Sequence, residues 1–342
     1  MKIAVDAMGG DNAPEEIVQG VIRAIEQGFV TAQEVCLVGI ADTLEQYRRQ
    51  NAALAACSVV HASQVVGMAD PPTSVLRSKS DSSITIATTL LRDRQADAFI
   101  SAGNTGAVVA AAWSLLKRLP GVRRPGIAIT FSTMSGHATM LDVGANVHCK
   151  PLDLFQYAVM ADVFCRRVLG LAAPRIGLLN IGEEGEKGTE LVKQTRDYFQ
   201  KSHLNFIGNV EGLDVFTGKC DVIVCEGFVG NVVLKVSEGL GLFLRSLLET
   251  EIRSLKPRSD STSSSVIADV LHSVFRRLDY AEYGGAPILG VNGLVVKMHG
   301  RSDRRATANA LRIAKQFVLN QVNEHICSAL HETGRDGIGD SK

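Results

Sequence analysis

The chain has 342 residues, 46% hydrophobic and 21% charged, enough apolar material for a full core and too much for a disordered segment. Lys+Arg and Asp+Glu both number 36, a formal net charge of +0, so no global field draws the chain to nucleic acid or membrane. The start, Met1-Lys2-Ile3-Ala4-Val5-Asp6, turns acidic too soon for a signal peptide, and the longest apolar stretch, read at Ala107 to Leu116, is short of the ~18–20 residues of a membrane span.

Val- and Ile-rich runs predict strands at Ile3–Met8, Val35–Val38, Ser58–His61, Ala98–Ser101, Ile127–Phe131, Thr139–Val143, Ile176–Ile181, Asn205–Val210, Val222–Cys225 and Leu294–Met298. Helical periods separate many of them; Leu191, Val192, Thr195, Tyr198 and Phe199 share one face. The alternation predicts an α/β protein with a mostly parallel sheet, into which Ile127–Phe131 and Thr139–Val143 insert a hairpin. Asn12 is placed to cap the first helix, with Pro14 in its first turn and Glu15 spaced for a capping box. Val232 to Leu255 reads as one helix with Val236, Leu240, Phe243, Leu247 and Leu248 on a stripe. A polar turn and a second amphipathic helix then complete a protruding helical hairpin, about 236–280. The expected organisation is one domain over 1–334 and a flexible tail over 335–342.

Six glycine-centred turns leave or lead these strands: Met8–Asp11, Ser101–Gly106, Asp142–Asn146, Asn180–Gly185, Glu226–Asn231 and Tyr283–Pro287. Where a strand hands over to a helix, open backbone N–H groups and the helix dipole hold anions without charged side chains. Several such turns, each with Asn, Asp, Thr or Glu, suggest a shared anionic or polar substrate site. In Ser101–Gly106, Asn104 and Thr105 can donate to an oxyanion; a helix start needing glycine only for its dihedrals is the equal alternative. Lys187 and Lys235 are placed in early helical turns, where a cation is unfavourable unless an anion binds there. Asp11 reads as a turn cap; Asp6 and Asp142 either cap turns or position a reacting group. Cys225 reads as a core thiol and His299 as either an acid/base group or a helix-start residue.

Missing patterns narrow the chemistry. The chain lacks G-x-x-x-x-G-K-[ST], G-x-G-x-x-G after an early strand, G-x-S-x-G and H-E-x-x-H. A metal held by carboxylates stays open. The seven cysteines, an odd number without C-x-x-C, read as reduced thiols of a cytosolic protein.

Six blocks together resemble the bacterial phosphate acyltransferase family (acyl-acyl-carrier-protein:phosphate acyltransferase) of phospholipid synthesis. They are Asp6–Asp11, Ser101–Ala107, Leu141–Asn146, Asn180–Glu184, Gly227–Val232 and Tyr283–Pro287, in order and at family-like spacing. Glu226 departs from the family, which more often has Asp there. The resemblance implies a three-layer α/β/α body with a mostly parallel sheet, like isocitrate/isopropylmalate dehydrogenases and phosphotransacetylases. It also implies a homodimer without cofactor or metal, a long-chain acyl group on acyl carrier protein, and an acyl phosphate product. That product would pass to a glycerol-3-phosphate acyltransferase, with the protein cytoplasmic and in peripheral contact with the membrane.

On that resemblance phosphate is expected at the Gly103, Asn104, Thr105 and Gly106 turn with Lys187 and Asn231, and Lys235 faces the oxyanion. Asp6, Gly9, Gly10, Asp142, Asn146, Glu183 and His299 complete the expected substrate site. Phosphate is largely ionised near neutral pH and a thiol leaves easily, so orientation and oxyanion stabilisation are the main tasks. Direct attack is favoured over an acyl-enzyme on Cys225. An acidic carrier needs a basic seat, either Arg245, Arg253, Lys256, Arg276 and Arg277 or Arg301, Arg304 and Arg305. A dehydrogenase of the isopropylmalate type and a non-catalytic carrier- or lipid-binding scaffold are the competing readings.

Overall fold

The structure, a computed structural model, describes residues 1–254 and 284–335. All ten apolar runs form strands: β1 (Ile3–Asp6), β2 (Val35–Gly39), β3 (Ser58–His61), β4 (Ala98–Ser101), β5 (Gly126–Thr133), β6 (Gly136–Leu141), β7 (Ile176–Leu179), β8 (Phe206–Val210), β9 (Val222–Val224) and β11 (Leu294–Lys297). An eleventh, β10 (Ala286–Leu289), hides in the last glycine turn, where Pro287, with no N–H to give a ladder, reads as a loop residue. The sheet order is β3-β2-β1-β4-β11-β10-β5-β6-β9-β7-β8.

Helices cover both faces, because successive strand residues point to opposite sides and both sides are apolar. Ile3, Val5 and Ile100 face a core shared with α1 (Glu15–Glu26) and α6 (Pro151–Val168). Ala4, Val38 and Phe99 face another with α4 (Ser83–Arg92) and α5 (Thr105–Ala111). The remaining helices are α2 (Ala41–Gln50), α3 (Ser74–Arg77), α7 (Glu190–Gln200), α8 (Gly227–Ser254), α9 (Arg304–Leu319) and α10 (Val322–Arg335). Thr195 and Phe199 are the buried points of the α7 face read from the sequence.

Strand directions sort the glycine turns. β1, β4 and β11 are parallel, and their ends, Asp6, Ser101 and Lys297, share one edge. β10 runs back, β5 returns, and β6 runs back again, with Leu141 opposite Ala128. β9 and β7 follow β6, so Asp142, Cys225 and Asn180 stand at the other edge. A shared site therefore needs something to cross the sheet. Twist of about 20–25° per strand helps, and α8 does the crossing.

Four local expectations change. Asn12 gives only a backbone carbonyl to Glu16 N, 3.1 Å, and α1 starts behind Pro14 without a side-chain cap, while Glu15 bonds Tyr47 and Gln19 instead of closing a box. α7 starts at Glu190 behind the Thr189 cap, which leaves Lys187 in a loop. α8 starts at Gly227, five residues early, so Lys235 stands two turns inside the helix. The dipole argument thus falls for both lysines. Finally, Gly227–Glu251, not Ala107–Leu116, is the long apolar segment, and by length and composition it is sufficient to cross a membrane. Its stripe is exposed: Val236, 64%, Leu240, 51%, and Phe243, 61%. The return arm of the expected hairpin and the expected tail from 336 lie outside the described residues.

Candidate active site

The first expected anion cradle is already occupied by the chain's own carboxylate. Asp6, fully buried at the end of β1, accepts from Ser101 Oγ at 2.6 Å and Met8 N at 3.2 Å, with Gly9 N and Ser83 as further donors. Burial pushes this carboxyl up, against the pull of those donors. Gly103 N is spent on Ser101 Oγ, 3.0 Å. Gly9 is required by proximity, since a Cβ there would lie 2.2 Å from Asp6 Oδ2 and 2.7 Å from Gly103 N.

Asn104 also works structurally. Its Oδ1 caps α5 by accepting from Ala107 N at 3.0 Å, and its Nδ2 donates to the carbonyls of Met68, 2.9 Å, and Asp70, 3.0 Å. Gly103 N and the Asn104 side chain, expected as phosphate donors, are thus engaged within the chain. Thr105 is exposed at the start of α5, and Pro72 covers Gly106, whose Cβ would meet it at 2.6 Å. Gly10, at φ +108, brings its chain to within reach of Gly300, whose carbonyl accepts from Asp11 N at 2.7 Å.

The same edge holds a group that the sequence reading missed. Lys297 ends β11 in register with Ser101 and is buried. Its Nζ donates to Met298 O, the one acceptor it reaches among the described residues, although an ammonium carries three donors. Burial, helped by Lys235, pushes Lys297 down to about 8, with Asp6 and Asp11 opposing. A lysine closing an otherwise apolar strand was the available signal. His299 follows, half-buried, its Nδ1 accepting from Arg301 N at 3.1 Å; burial lowers its pKa despite Glu238.

At the other edge Asp142 repeats the pattern of Asp6. Its carboxylate accepts from Ile127 N, 3.0 Å, Gly144 N, 3.1 Å, Ala145 N, 3.0 Å, and Asn146 N, 2.7 Å. Burial raises this carboxyl while the same amides lower it. Asn146 is a knot, its Nδ2 donating to Pro125 O, 2.6 Å, Tyr157 Oη, 2.8 Å, and Asp142 Oδ2, 3.2 Å. Its side chain is therefore spent as well. Cys225 is buried, its Sγ facing Asp142 O at 3.5 Å, and burial raises the thiol far from thiolate. Glu226 accepts from Val229 N at 3.2 Å and so caps the start of α8.

From that start α8 crosses between the edges. Gly227 N bonds Asn146 O at 2.8 Å. Asn231 is exposed beside Gly144. Lys235, one turn further on the same face, pairs with Glu238 at 2.7 Å and lies close enough to act on Lys297 and His299. Lys187, on the β7 loop, pairs with Glu184 at 3.0 Å and covers Gly182. That loop adjoins the end of β9, so Lys187 and Asn231 occupy neighbouring strand ends, on the edge opposite the Gly103 turn. Glu183 bonds Lys219.

Of the expected carrier contacts, Arg245 pairs with Glu249 at 2.9 Å, Arg253 is on α8, and Lys256, Arg276 and Arg277 lie outside the described residues. Arg301 precedes α9, and Arg304 and Arg305 open it; Arg304 is held bidentately by Glu16, at 2.5 and 3.1 Å.

Residues 1–325 match a family described as "Fatty acid synthesis protein". A phosphate acyltransferase of Thermoanaerobacterium thermosaccharolyticum is 43% identical over 337 residues, 98% of each chain. One from Heliobacterium modesticaldum is 45% identical over 332 residues, 95% of this chain and 98% of its own. Among solved structures, a phosphotransacetylase from Streptococcus pyogenes superposes with a TM-score of 0.61 at 14% identity, covering 95% of this chain and 94% of that one, a likeness of fold.

Proposed function

The chain belongs to the phosphate acyltransferase family and is an acyltransferase working with phosphate; on that premise we propose that it transfers a long-chain fatty acyl group from acyl carrier protein to inorganic phosphate. The acyl phosphate then serves glycerol-3-phosphate acylation in phospholipid synthesis. The observation that carries the reading is the row of amide and ammonium groups along α8: Asn231 and Lys235 on one face, Lys187 by the neighbouring strand end, and Lys297, with one acceptor among the described residues, at the far edge.

In this reading Asn231 and Lys187 orient the phosphate dianion. A phosphate oxygen forms a bond to the thioester carbon while the carbonyl pair moves to its oxygen, and Lys235 with Lys297 stabilises that oxyanion. Collapse breaks the C–S bond and the sulfur leaves as thiolate, which takes a proton from solvent. The buried, high-pKa Cys225 supports direct attack. Asp6 and Asp142 hold the two edges in shape, with Gly9 and Gly10 giving the close approach. We read the exposed stripe of α8 as the seat of a second copy, giving a homodimer, and its outer end as the peripheral membrane contact.

Incubating the purified protein with acyl carrier protein thioester and labelled phosphate tests this. Labelled acyl phosphate and free carrier are expected without nicotinamide or divalent metal. Nicotinamide-dependent hydride transfer, or carrier bound but never released, overturns the reading.

A further inference from the structure

Away from α8, the strongest feature is a recess of ≈ 660 Å³ on the sheet edge that carries Asp142, lined by Trp113, Lys117, Arg118, Arg123, Arg124 and Asp153. Four cations thus meet one carboxylate. Arg123 Nε pairs with Asp153 at 2.8 Å and Arg124 Nε stands 3.9 Å from it, while Lys117 and Arg118 have no carboxylate partner among the described residues. By contrast, Arg245 and Arg304, expected as carrier contacts, each have a carboxylate partner, Glu249 and Glu16.

The loop bearing these cations is held firmly. Leu119 N bonds Gly290 O at 2.9 Å, Arg118 bridges Val291, and Gln156 clamps both Arg123 N, 2.8 Å, and Gly121 O, 2.9 Å. Lys117 stands at φ 64 after the π-helical turn Ala112–Leu116, a conformation that side chains rarely adopt. Trp113, the only tryptophan, keeps a buried indole N–H without an acceptor. Arg118 Nη1 donates to Arg123 O at 2.6 Å, which steadies its guanidinium, and cations held on a fixed loop without a carboxylate partner complement an acidic surface.

We propose that this recess is the docking seat for the acidic face of the acyl carrier, an inference that rests on the carrier thioester being the acyl donor. Its position suits delivery. Arg124 Nη1 reaches Asn146 Oδ1 at 3.5 Å, and Pro125 O accepts from Asn146 Nδ2. Asn146 O in turn accepts from Gly227 N at the start of α8, so the wall of the recess is one residue from the helix that carries Asn231. A carrier seated there presents its thioester arm along the Asp142–Asn146 loop to the inner end of α8.

The test is the double variant Lys117→Glu/Arg118→Glu, assayed with acyl carrier protein thioester and with the protein-free donor acyl-pantetheine. The KM for the carrier thioester should rise about tenfold or more and lose much of its dependence on salt, as expected when rim charges that steer a partner are reversed. Turnover of acyl-pantetheine and the KM for phosphate should stay put, and titration with apo-carrier should shift Trp113 emission in the parent only. An unmoved carrier KM, or an equal loss with both donors, overturns the docking seat. If the parent makes no acyl phosphate from any carrier thioester, the proposed function itself is wrong.

Discussion

Replacing Lys297 with Met tests whether a strained cation has been kept for chemistry. The two side chains have similar length, and the strand position is buried, so Met fits. Lowering the ammonium from 10.5 to about 8 corresponds to up to ~3 kcal/mol of burial cost below pH 8. The sign follows from proton binding. Between about 8 and 10.5 the unfolded chain holds this proton and the folded chain releases it, so parental stability gains as pH rises through that window. Lys297→Met has no such gain. Urea unfolding should therefore find the variant more stable at pH 7, by up to ~3 kcal/mol, with the advantage vanishing near pH 10.5. Phosphate-dependent acyl transfer should meanwhile fall about a hundredfold, the usual loss of one oxyanion donor. A variant less stable than the parent at both pH values, with turnover intact, would refute both halves of the reasoning.

Three further outcomes are expected. Cys225→Ser should keep full turnover, because the thiol is buried and protonated; loss of activity with a correctly folded variant would restore the acyl-enzyme route. Lys187→Ala should leave thermal unfolding unchanged, its Glu184 pair being exposed, and cut acyl phosphate formation at least about tenfold; unchanged rate at saturating phosphate removes it from the mechanism. Asp142→Asn turns an amide donor toward four backbone donors and should cost about 3 kcal/mol, read as a lower urea midpoint; an unmoved midpoint would show that the edge does not depend on this carboxylate.

The alternation of strands and helices was legible because both faces of each strand are apolar, and so was the Gly126–Thr133 and Gly136–Leu141 hairpin, set off by its polar turn. The direction of the strands was not, because β10 passes as a turn, and without it the reversal that separates Asp6 from Asp142 cannot be seen. The amide clusters of the Asp6 and Asp142 turns were legible as places for an anion, yet sequence spacing does not tell which anion fills them. Here the neighbouring Asp6 and Asp142 do, at far lower entropic cost than a free ligand. Lys187 and Lys235 drew notice for helix positions they do not hold, whereas Lys297 escaped it inside a run counted as apolar.

α8 is a rod of 28 residues, ~42 Å long, pinned near its inner end, where a Cβ on Gly230 would lie 1.9 Å from Asp142 O. Angular play of about 5° about such a pivot displaces the outer end, ~36 Å away, by about 3 Å but moves Lys235, ~7.5 Å away, by about 0.7 Å. That smaller displacement is enough to spoil alignment at a reacting carbonyl. Whatever grips the distal half of the rod consequently tunes the chemistry by leverage, and a monomer with that half unheld is a looser machine than its intact body suggests.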